Sequence, residues 1–154
     1  MSEPVILILI LCGALAAVAL VLAVRHFRRP FSMDDLEGHD FEYYCADLLK
    51  GDGFTDVRVT NGSRDYGADI LAEKDGVLYA VQCKRYDHPV GVSAVQEIYA
   101  AGDYYGCMVG VVMTNTEFTE PAKQMAEKLR ILLWDRRRLK KMEHPEVRRH
   151  EEAH

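Results

Sequence analysis

Asp69, Gln82 and Lys84 stand in two strand-like stretches of the 154-residue sequence, between residues 68 and 86, where apolar side chains alternate with others. A carboxylate and an amide oxygen can ligate a hard divalent cation such as Mg²⁺. A neighbouring lysine can orient or deprotonate a water molecule, or stabilise negative charge that develops on a phosphate. If the fold brings the three side chains together, this stretch predicts a site for metal-assisted hydrolysis.

The pair Asp75-Gly76 decides whether these side chains meet, because Asp-Gly between two alternating apolar runs predicts a β-hairpin with a two-residue turn. Counting outward from this turn places Asp69 directly opposite Gln82, with Cβ atoms about 5 Å apart on one face of the sheet. Lys84 lies two residues beyond Gln82 and shares that face. A register slip of one residue would turn Asp69 to the opposite face.

The elements around the hairpin are predicted from hydrophobic periodicity and from end signals. They are a helix that begins at Ser32 or later and ends at Gly51 and Gly53, a strand at 55–60, a helix at 91–105, a strand at 107–114, a helix capped by Thr119 with Pro121 in its first turn, a strand at 131–134 and a basic helix from Asp135. The 91–105 helix is expected to bury Val92, Val95, Tyr99 and Gly102. The order α-β-β-β-α-β, then α-β-α, predicts an α/β fold with a mixed sheet and helices on its faces.

Several motifs, in this order, resemble one nuclease family. GADI is followed, thirteen residues after its aspartate, by QCKRY, and this pair is similar to the Mrr-like branch of the PD-(D/E)xK nuclease superfamily, in which glutamine replaces an acidic residue (the QxK variant). The other similar segments are GHDFEYYCADLLKGDGF, DYGAD, PVGVSAVQEIYAA, VVMTNTEFTEPAKQMAEK and LLWDRRRL. The resemblance covers about residues 38–139 and departs from the superfamily's nominal motif at Ala68, which stands in place of proline.

The resemblance implies a restriction-endonuclease-like three-layer fold and hydrolysis of DNA phosphodiester bonds with Mg²⁺, for which Mn²⁺ can substitute. It assigns Asp69 as the principal metal ligand, Gln82 as a metal ligand that completes the catalytic half-motif, and Lys84 as the catalytic lysine. Glu42, on the first helix, would join the catalytic and metal-binding set directly or through water. Alone, an aspartate and a lysine on a strand face would more often form a surface ion pair.

A DNA-binding surface, if present, must be local, because the net charge of −5 and the pI near 5.7 give no global signature of nucleic-acid binding. Gln96, near the start of the second helix, could contact the site or the DNA backbone. The basic run from Arg136 could bind phosphates or anionic lipid headgroups, or form the solvated face of a terminal helix. The candidate DNA-binding residues are Arg64, Arg85, Gln96, Arg136 and Arg137.

Residues 5–24 contain no charged side chain and consist almost entirely of Val, Ile, Leu and Ala. Twenty helical residues span about 30 Å, the thickness of the hydrocarbon core of a bilayer. A cleaved signal peptide would need a basic start and a shorter apolar core, and a buried core helix fits this length poorly. The basic flank of Arg25, Arg28 and Arg29 favours the cytoplasm. We therefore predict a single-pass anchor in the cytoplasmic (inner) membrane, with the short N-terminus outside and the C-terminal domain in the cytoplasm.

The four cysteines form no Cys-x-x-Cys or Cys/His ligand pattern, which predicts free thiols in a reducing compartment and disfavours a zinc site.

The predicted domains are a transmembrane anchor with its basic flank (1–30), an Mrr-like nuclease domain (31–142) and a polar tail expected to be disordered (143–154). The predicted function is that of a membrane-anchored, Mg²⁺-dependent endodeoxyribonuclease. The alternative is a catalytically weak nuclease-fold module that binds DNA at the membrane. The intact set of Asp69, Gln82 and Lys84 favours the enzyme. The expected partners are DNA and the membrane through residues 5–24; the sequence leaves the oligomeric state open, a homodimer included.

Overall fold

The computed structural model describes residues 3–27, 32–60 and 66–143; within the first range, side chains are described for Pro4 and residues 11–23. Its contacts divide the chain into two units, Met1–Ser32 and Met33–His154. In the first unit, helix α1 spans Glu3–Phe27. Among the residues that the structure describes, no helix is both long and apolar enough to cross a membrane. The predicted anchor at 5–24 includes positions outside the described side chains, so the structure does not support it and it stays a prediction.

The second unit is built on a five-stranded mixed sheet with the strand order β1-β2-β3-β4-β5. The first three strands are antiparallel neighbours, whereas β3, β4 and β5 run parallel. The strands are β1 (Thr55–Val59), β2 (Ile70–Lys74), β3 (Val77–Lys84), β4 (Val109–Thr114) and β5 (Leu132–Trp134). The helices are a short 3-10 helix (Met33–Asp35), α2 (Gly38–Gly51), α3 (Val92–Tyr105), α4 (Glu120–Leu129) and α5 (Arg136–Glu143). The predicted α/β fold and mixed sheet are confirmed.

Helices cover both faces of the sheet, and the alternation of side chains along β3 divides the core in two. Val81 packs with Phe41 of α2 and Leu139 of α5 in one core. Ala80 packs with Ile98 of α3 and residues of α4 in the other. Gln82 is two residues from Ala80, so it faces the layer formed by α3 and α4.

Local chemistry explains where the helices begin and end. The buried residues of α2 recur at helical spacing and form one apolar face: Phe41, Cys45, Ala46, Leu48 and Leu49. Thr119 caps α4, because its hydroxyl accepts a hydrogen bond from the N–H of Ala122 at 3.3 Å, and Pro121 lies in the first turn. The cap predicted for α4 is therefore confirmed.

The face predicted for α3 was wrong at Tyr99, which is 53% exposed. The residues that α3 buries are Ala94, Val95, Ile98, Ala101 and Gly102. Small side chains on this face let the helix pack closely on the sheet, and the large phenol ring of Tyr99 is turned to solvent.

Helix α5 continues to Glu143, which the sequence placed in the tail. The Tyr44 hydroxyl donates a hydrogen bond to the carboxylate of Glu143 at 2.7 Å, so the last turn of α5 is fastened to α2. Burial raises the pKa of Tyr44, and the bond to Glu143 raises it further. The remainder of the predicted tail, residues 144–154, lies outside the described residues.

Candidate active site

The turn at Asp75 and Gly76 sets the register of the candidate site. Both residues have positive φ, 53° and 77°, as this kind of two-residue hairpin turn requires. The ladder between β2 and β3 runs from the turn without interruption. One residue beyond it, the N–H of Asp69 donates to the carbonyl oxygen of Val81 at 2.8 Å. The predicted register is confirmed from the turn to the pair of Ile70 and Val81. Asp69 lies just beyond this ladder and bonds to Val81, so its predicted position opposite Gln82 stays a prediction.

The Asp69 carboxylate is held against β3. Its Oδ2 accepts a hydrogen bond from the backbone N–H of Cys83 at 2.6 Å. Cys83 stands between Gln82 and Lys84 in the strand. Hydrogen bonds to an ionised carboxylate are stronger than those between neutral groups. This bond therefore ties the loop residue Asp69 to the strand segment that carries both other predicted site residues.

Glu97 on α3 connects Gln82 and Lys84. Its Oε2 accepts hydrogen bonds from Gln82 Nε2 at 2.6 Å and from Lys84 Nζ at 3.0 Å. Glu97 was not among the site residues predicted from the sequence, which include its neighbour Gln96 instead. Two polar side chains on one strand face need partners from the helix that covers this face, and a carboxylate on that helix was the signal available.

Gly67 brings the loop before Asp69 against the same helix. A Cβ atom at Gly67 would lie 3.2 Å from both the Cβ atom and the carbonyl oxygen of Glu97, and the φ of Gly67 is +93°. Both the close approach and the left-handed backbone favour glycine here. The loop that carries Asp69 and the helix that carries Glu97 are therefore positioned against each other.

The amide of Gln82 is buried in one orientation, with the side chain 2% exposed. Its NH₂ group must face the Glu97 carboxylate, since two acceptors would repel each other in the flipped orientation. Gln82 Oε1 is then buried, and among the described residues it has no hydrogen-bond partner. A buried amide oxygen without a hydrogen-bond donor can instead ligate a cation. The residues present therefore fit a divalent metal with Asp69 and Gln82 as ligands.

The fit of Asp69 and Gln82 to a divalent metal does not rest on a cluster of His, Cys, Asp and Glu side chains. In the part of the chain that the structure describes, no group of three or more His, Cys, Asp or Glu residues is arranged to hold a metal ion. The candidate set instead combines one carboxylate with one amide oxygen.

The pair formed by Lys84 and Glu97 is charged at neutral pH. Burial lowers the pKa of Lys84, but the hydrogen bond and the charge of Glu97 outweigh burial and hold that pKa above its usual value. Burial raises the pKa of Glu97, whereas its bonds to Lys84 and Gln82 lower it, and the net pKa lies below its usual value. Lys84 is therefore an ammonium donor in this arrangement.

Glu42 lies on α2, and its Oε2 is hydrogen-bonded to the Nδ1 of His39 at 2.9 Å. Burial raises the pKa of the Cys83 thiol, a hydrogen bond with Cys45 adds to this, and the negative charges of Asp69 and Glu42 raise it further. Glu42 therefore lies near the strand segment of the site. Its predicted part in catalysis and metal binding stays a prediction.

The predicted DNA-binding residues that the structure describes differ in their exposure and in their hydrogen-bond partners. Arg64 lies outside the described residues. Gln96 is exposed on α3. Arg85 donates to the backbone carbonyl of Asp34, and Arg136 to the carboxylate of the same residue. The last member, Arg137, has a side chain that is 89% exposed and lies 3.3 Å from the Asp135 carboxylate.

Residues 33–142 match the restriction endonuclease family Mrr_cat along their whole length, which is more than half of the chain. The chain belongs to this family. Its matched region contains the sheet, helices α2 to α4, all of α5 except its last residue, and every predicted site residue.

Among curated proteins, the chain is 32% identical over 89 residues to an uncharacterized protein of Archaeoglobus fulgidus. The aligned region is 53% of this chain and 51% of the relative, so the chain spans about half the length of that protein. Among solved structures, it is similar to a protein of unknown function, AF1548, with 28% identity and a TM-score of 0.55 over 64% of this chain and 58% of the other.

Two restriction endonucleases share the fold. AspBHI, a DNA modification-dependent restriction endonuclease, has 19% identity and a TM-score of 0.53, covering 82% of this chain and 34% of its own. MspJI, solved in complex with a 27-mer oligonucleotide, has 17% identity and a TM-score of 0.53, covering 82% of this chain and 30% of its own. At these identities the likeness establishes the restriction-endonuclease-like fold and leaves substrate and specificity open.

Proposed function

We propose that this chain is an endonuclease that hydrolyses DNA phosphodiester bonds with Mg²⁺, or with Mn²⁺ in its place. The observation that carries the proposal is the buried Oε1 of Gln82, which has no hydrogen-bond partner among the described residues and lies in a domain of the restriction endonuclease family that also carries Asp69 and Lys84.

Asp69 and Gln82 would hold the cation, which when bound would polarise a phosphate oxygen and lower the pKa of a water molecule. Asp69 supplies negative charge, and its bond to the Cys83 N–H keeps the carboxylate in place. Glu97 positions the other ligand, because its bond to Gln82 Nε2 leaves Oε1 as the ligating atom. Glu42 would assist the cation directly or through a water molecule.

Lys84 would act as a charged donor to the reacting phosphate. An ammonium has three N–H donors, and one of them is used by Glu97. Since the pKa of Lys84 is raised, the side chain keeps its proton at neutral pH and is a poor base. It is suited to stabilising negative charge that develops on the phosphate oxygens.

DNA is the proposed substrate because the restriction endonuclease family acts on it, and because MspJI, which shares the fold, was solved with an oligonucleotide. Positive side chains near the site add to this: Lys84, Arg85 and Arg136 are clustered around the carboxyl ends of β3 and β4.

A binding module with weak chemistry is the second candidate. It is favoured by the contact of Glu42 with His39: if Glu42 stays with His39, Asp69 is the one carboxylate among the proposed ligands Asp69, Gln82 and Glu42. With a single carboxylate, the affinity for a divalent cation would be low, and the module would bind DNA without cutting it efficiently.

The test uses the purified full chain in a non-ionic detergent with supercoiled plasmid, Mg²⁺ or Mn²⁺, and EDTA as a stop. Lys84→Ala should abolish nicking but keep most metal binding, because ammonium is not a metal ligand. Asp69→Ala should lose both nicking and metal binding. Lys123→Ala, at an exposed lysine of α4, is the matched control and should cut normally.

If the wild type binds DNA but cuts no duplex, branched or single-stranded substrate with either metal, the enzyme fails and the binding module takes its place. If Lys84→Ala cuts as fast as Lys123→Ala, the assigned role of Lys84 is wrong.

We further propose that residues 5–24 anchor the chain in the cytoplasmic membrane with the nuclease domain in the cytoplasm. Support comes from the uncharged apolar run, its basic flank and the 25-residue helix α1. A homodimer is the proposed assembly for cutting both strands, since each active site cuts one strand. Light scattering of the purified chain and the ratio of nicked to linear product test the assembly together.

A further inference from the structure

A cavity lined by polar and charged residues lies at the same end of the sheet as the candidate active site. Its volume is about 230 Å³, and we call it the Asp34 cavity. The residues that line it are Asp34, Arg85, Tyr86, Asp87, Asn115, Thr116 and Arg136. Arg85 directly follows β3, Asn115 directly follows β4, and Arg136 begins α5, so the cavity is formed where parallel strands end.

Asp34 occupies this cavity as an anion among donors. Its Oδ1 accepts hydrogen bonds from Asn115 Nδ2 at 2.8 Å and from the guanidinium of Arg136. The guanidinium of Arg85 donates to the backbone carbonyl of Asp34. Two arginines and an amide around one carboxylate are the donors that also bind a phosphate.

The donors on the sheet are held in place and are not fully used. Asn115 is 2% exposed, and its Oδ1 accepts from the backbone N–H of Tyr86 at 2.9 Å, which fixes the direction of its NH₂ group. The Nε atom of Arg85 is buried, and among the described residues it has no acceptor. A buried cationic N–H without an acceptor is costly, so the cavity has an unmet need for a second acceptor oxygen. A phosphate, with more acceptor oxygens than Asp34 offers, would supply it.

Asp34 is the member of the cluster that can move away. Its side chain is 43% exposed, and it stands in a 3-10 helix of only three residues. Turning the carboxylate into water would therefore leave the core of the domain packed. The guanidinium groups and Asn115 would remain at the ends of the strands.

The cavity is one residue from the candidate catalytic lysine. Arg85 follows Lys84 in the chain, and Asn115 follows Thr114, the residue that pairs with Lys84 across β3 and β4. A strand whose phosphate contacts Lys84 thus has a neighbouring phosphate within reach of the cavity.

We propose that the Asp34 cavity binds a backbone phosphate of DNA adjacent to the one at Lys84, and that Asp34 fills this site when DNA is absent. The proposal rests on the proposed function, since it takes DNA as the ligand. It makes Arg85, Arg136 and Asn115 a phosphate-binding set and Asp34 their internal competitor.

The test compares two isosteric changes with equal effect on net charge: Asp34→Asn, and Asp35→Asn at the exposed neighbouring residue. Binding of the full chain to a fluorescein-labelled duplex is measured by anisotropy at several salt concentrations, with EDTA to prevent cleavage. Asp34→Asn should bind about fivefold more tightly than Asp35→Asn, because DNA no longer displaces a carboxylate. In the Asp34→Asn background, Arg136→Gln should remove this gain and reduce the slope of log K against log salt by about 0.9, the effect of one phosphate contact. Lys128→Gln, on the last turn of α4, should change neither.

Equal affinities of Asp34→Asn and Asp35→Asn for DNA, in chains that melt at the wild-type temperature, would overturn the proposal. The contacts of Asp34 would then serve the stability of the fold alone. If Asp34→Asn does not fold, the slopes of the single variants Arg136→Gln and Lys128→Gln decide: equal slopes overturn it. A gain on phosphatidylglycerol vesicles without a gain on DNA would assign the site to lipid headgroups and also overturn it. If the wild type and all variants fail to bind DNA, the proposed function itself is wrong. If they bind and cut DNA but Asp34→Asn has no effect, only the proposal for the Asp34 cavity is wrong.

Discussion

Replacing Gln82 with leucine separates the stability of the domain from its affinity for metal. Leucine is close to glutamine in size and is apolar, and the position is 2% exposed. The change removes the bond from Nε2 to the Glu97 carboxylate, a hydrogen bond to a charged group worth about 1.5–3 kcal/mol. It also removes the unpartnered Oε1, whose burial costs about 1–3 kcal/mol. The two effects have opposite signs and similar size.

Without metal, the free energy of unfolding of Gln82→Leu should therefore stay within about 1 kcal/mol of the wild type. Glu97 does not become a buried unpaired charge, because its side chain is 46% exposed and it keeps its bond to Lys84. With metal, the two proteins should differ. A cation at about 100 times its dissociation constant stabilises the wild type by about 2.7 kcal/mol, which raises the melting temperature by about 10 °C in a domain of this size. Gln82→Leu should lose most of that shift and all cleavage.

The assay is thermal unfolding followed by circular dichroism, with Mg²⁺ or EDTA, on wild type, Gln82→Leu and the control Gln124→Leu on the exposed side of α4. The control should melt and respond to Mg²⁺ like the wild type. A Gln82→Leu protein that is destabilised by more than about 3 kcal/mol and still gains the full Mg²⁺ shift would refute the reasoning, because Oε1 would then be neither strained nor a ligand.

Four further outcomes are expected. Gly67→Ala should lower the free energy of unfolding by more than Gly53→Ala. Both glycines have positive φ, which costs about 1–2 kcal/mol for alanine. A Cβ atom at Gly67 would also contact Glu97, whereas one at Gly53 would have no neighbour within 4 Å. Equal losses in denaturant melts would exclude the steric contact. Glu97→Gln should cost less than about 1 kcal/mol at neutral pH, since the Glu97 side chain is 46% exposed and solvent screens its charge. The folded pKa of Glu97 is lowered, so its contribution is complete above the pKa of the unfolded state and is lost as the pH falls through the folded pKa; a difference between the two proteins that persisted at pH 3 would contradict this. Glu42→Gln should raise the Mg²⁺ concentration needed for half-maximal cleavage; an unchanged requirement would limit Glu42 to its contact with His39. A periplasm-active reporter fused to the C-terminus should be inactive, and strong activity would reverse the proposed orientation of the membrane anchor.

Features that depend on neighbours in the chain could be predicted from the sequence. The Asp75-Gly76 turn has the left-handed backbone that this dipeptide favours, and from it the register of the hairpin between β2 and β3 followed. The cap at Thr119 and the apolar face of α2 could likewise be predicted from neighbouring residues in the chain. In each case the physical cause acts over a few residues, through backbone conformation, a capping hydrogen bond or the period of a helix.

Contacts between distant segments were decided only by tertiary packing. Glu97 meets Lys84 across 13 positions in the chain, and Asp34 meets Arg136 across 102. Neither pair is marked by local spacing, because a helix can present any of several faces to a sheet. Which face it presents depends on how closely the two surfaces pack. The small residues of α3 and the closeness of Gly67 to Glu97 settle that choice: they turn Tyr99 to solvent and place the half-exposed Glu97 carboxylate against Gln82 and Lys84. The sequence by itself determined the hairpin that carries Asp69, Gln82 and Lys84, and packing of α3 against the sheet determined which carboxylate holds the last two.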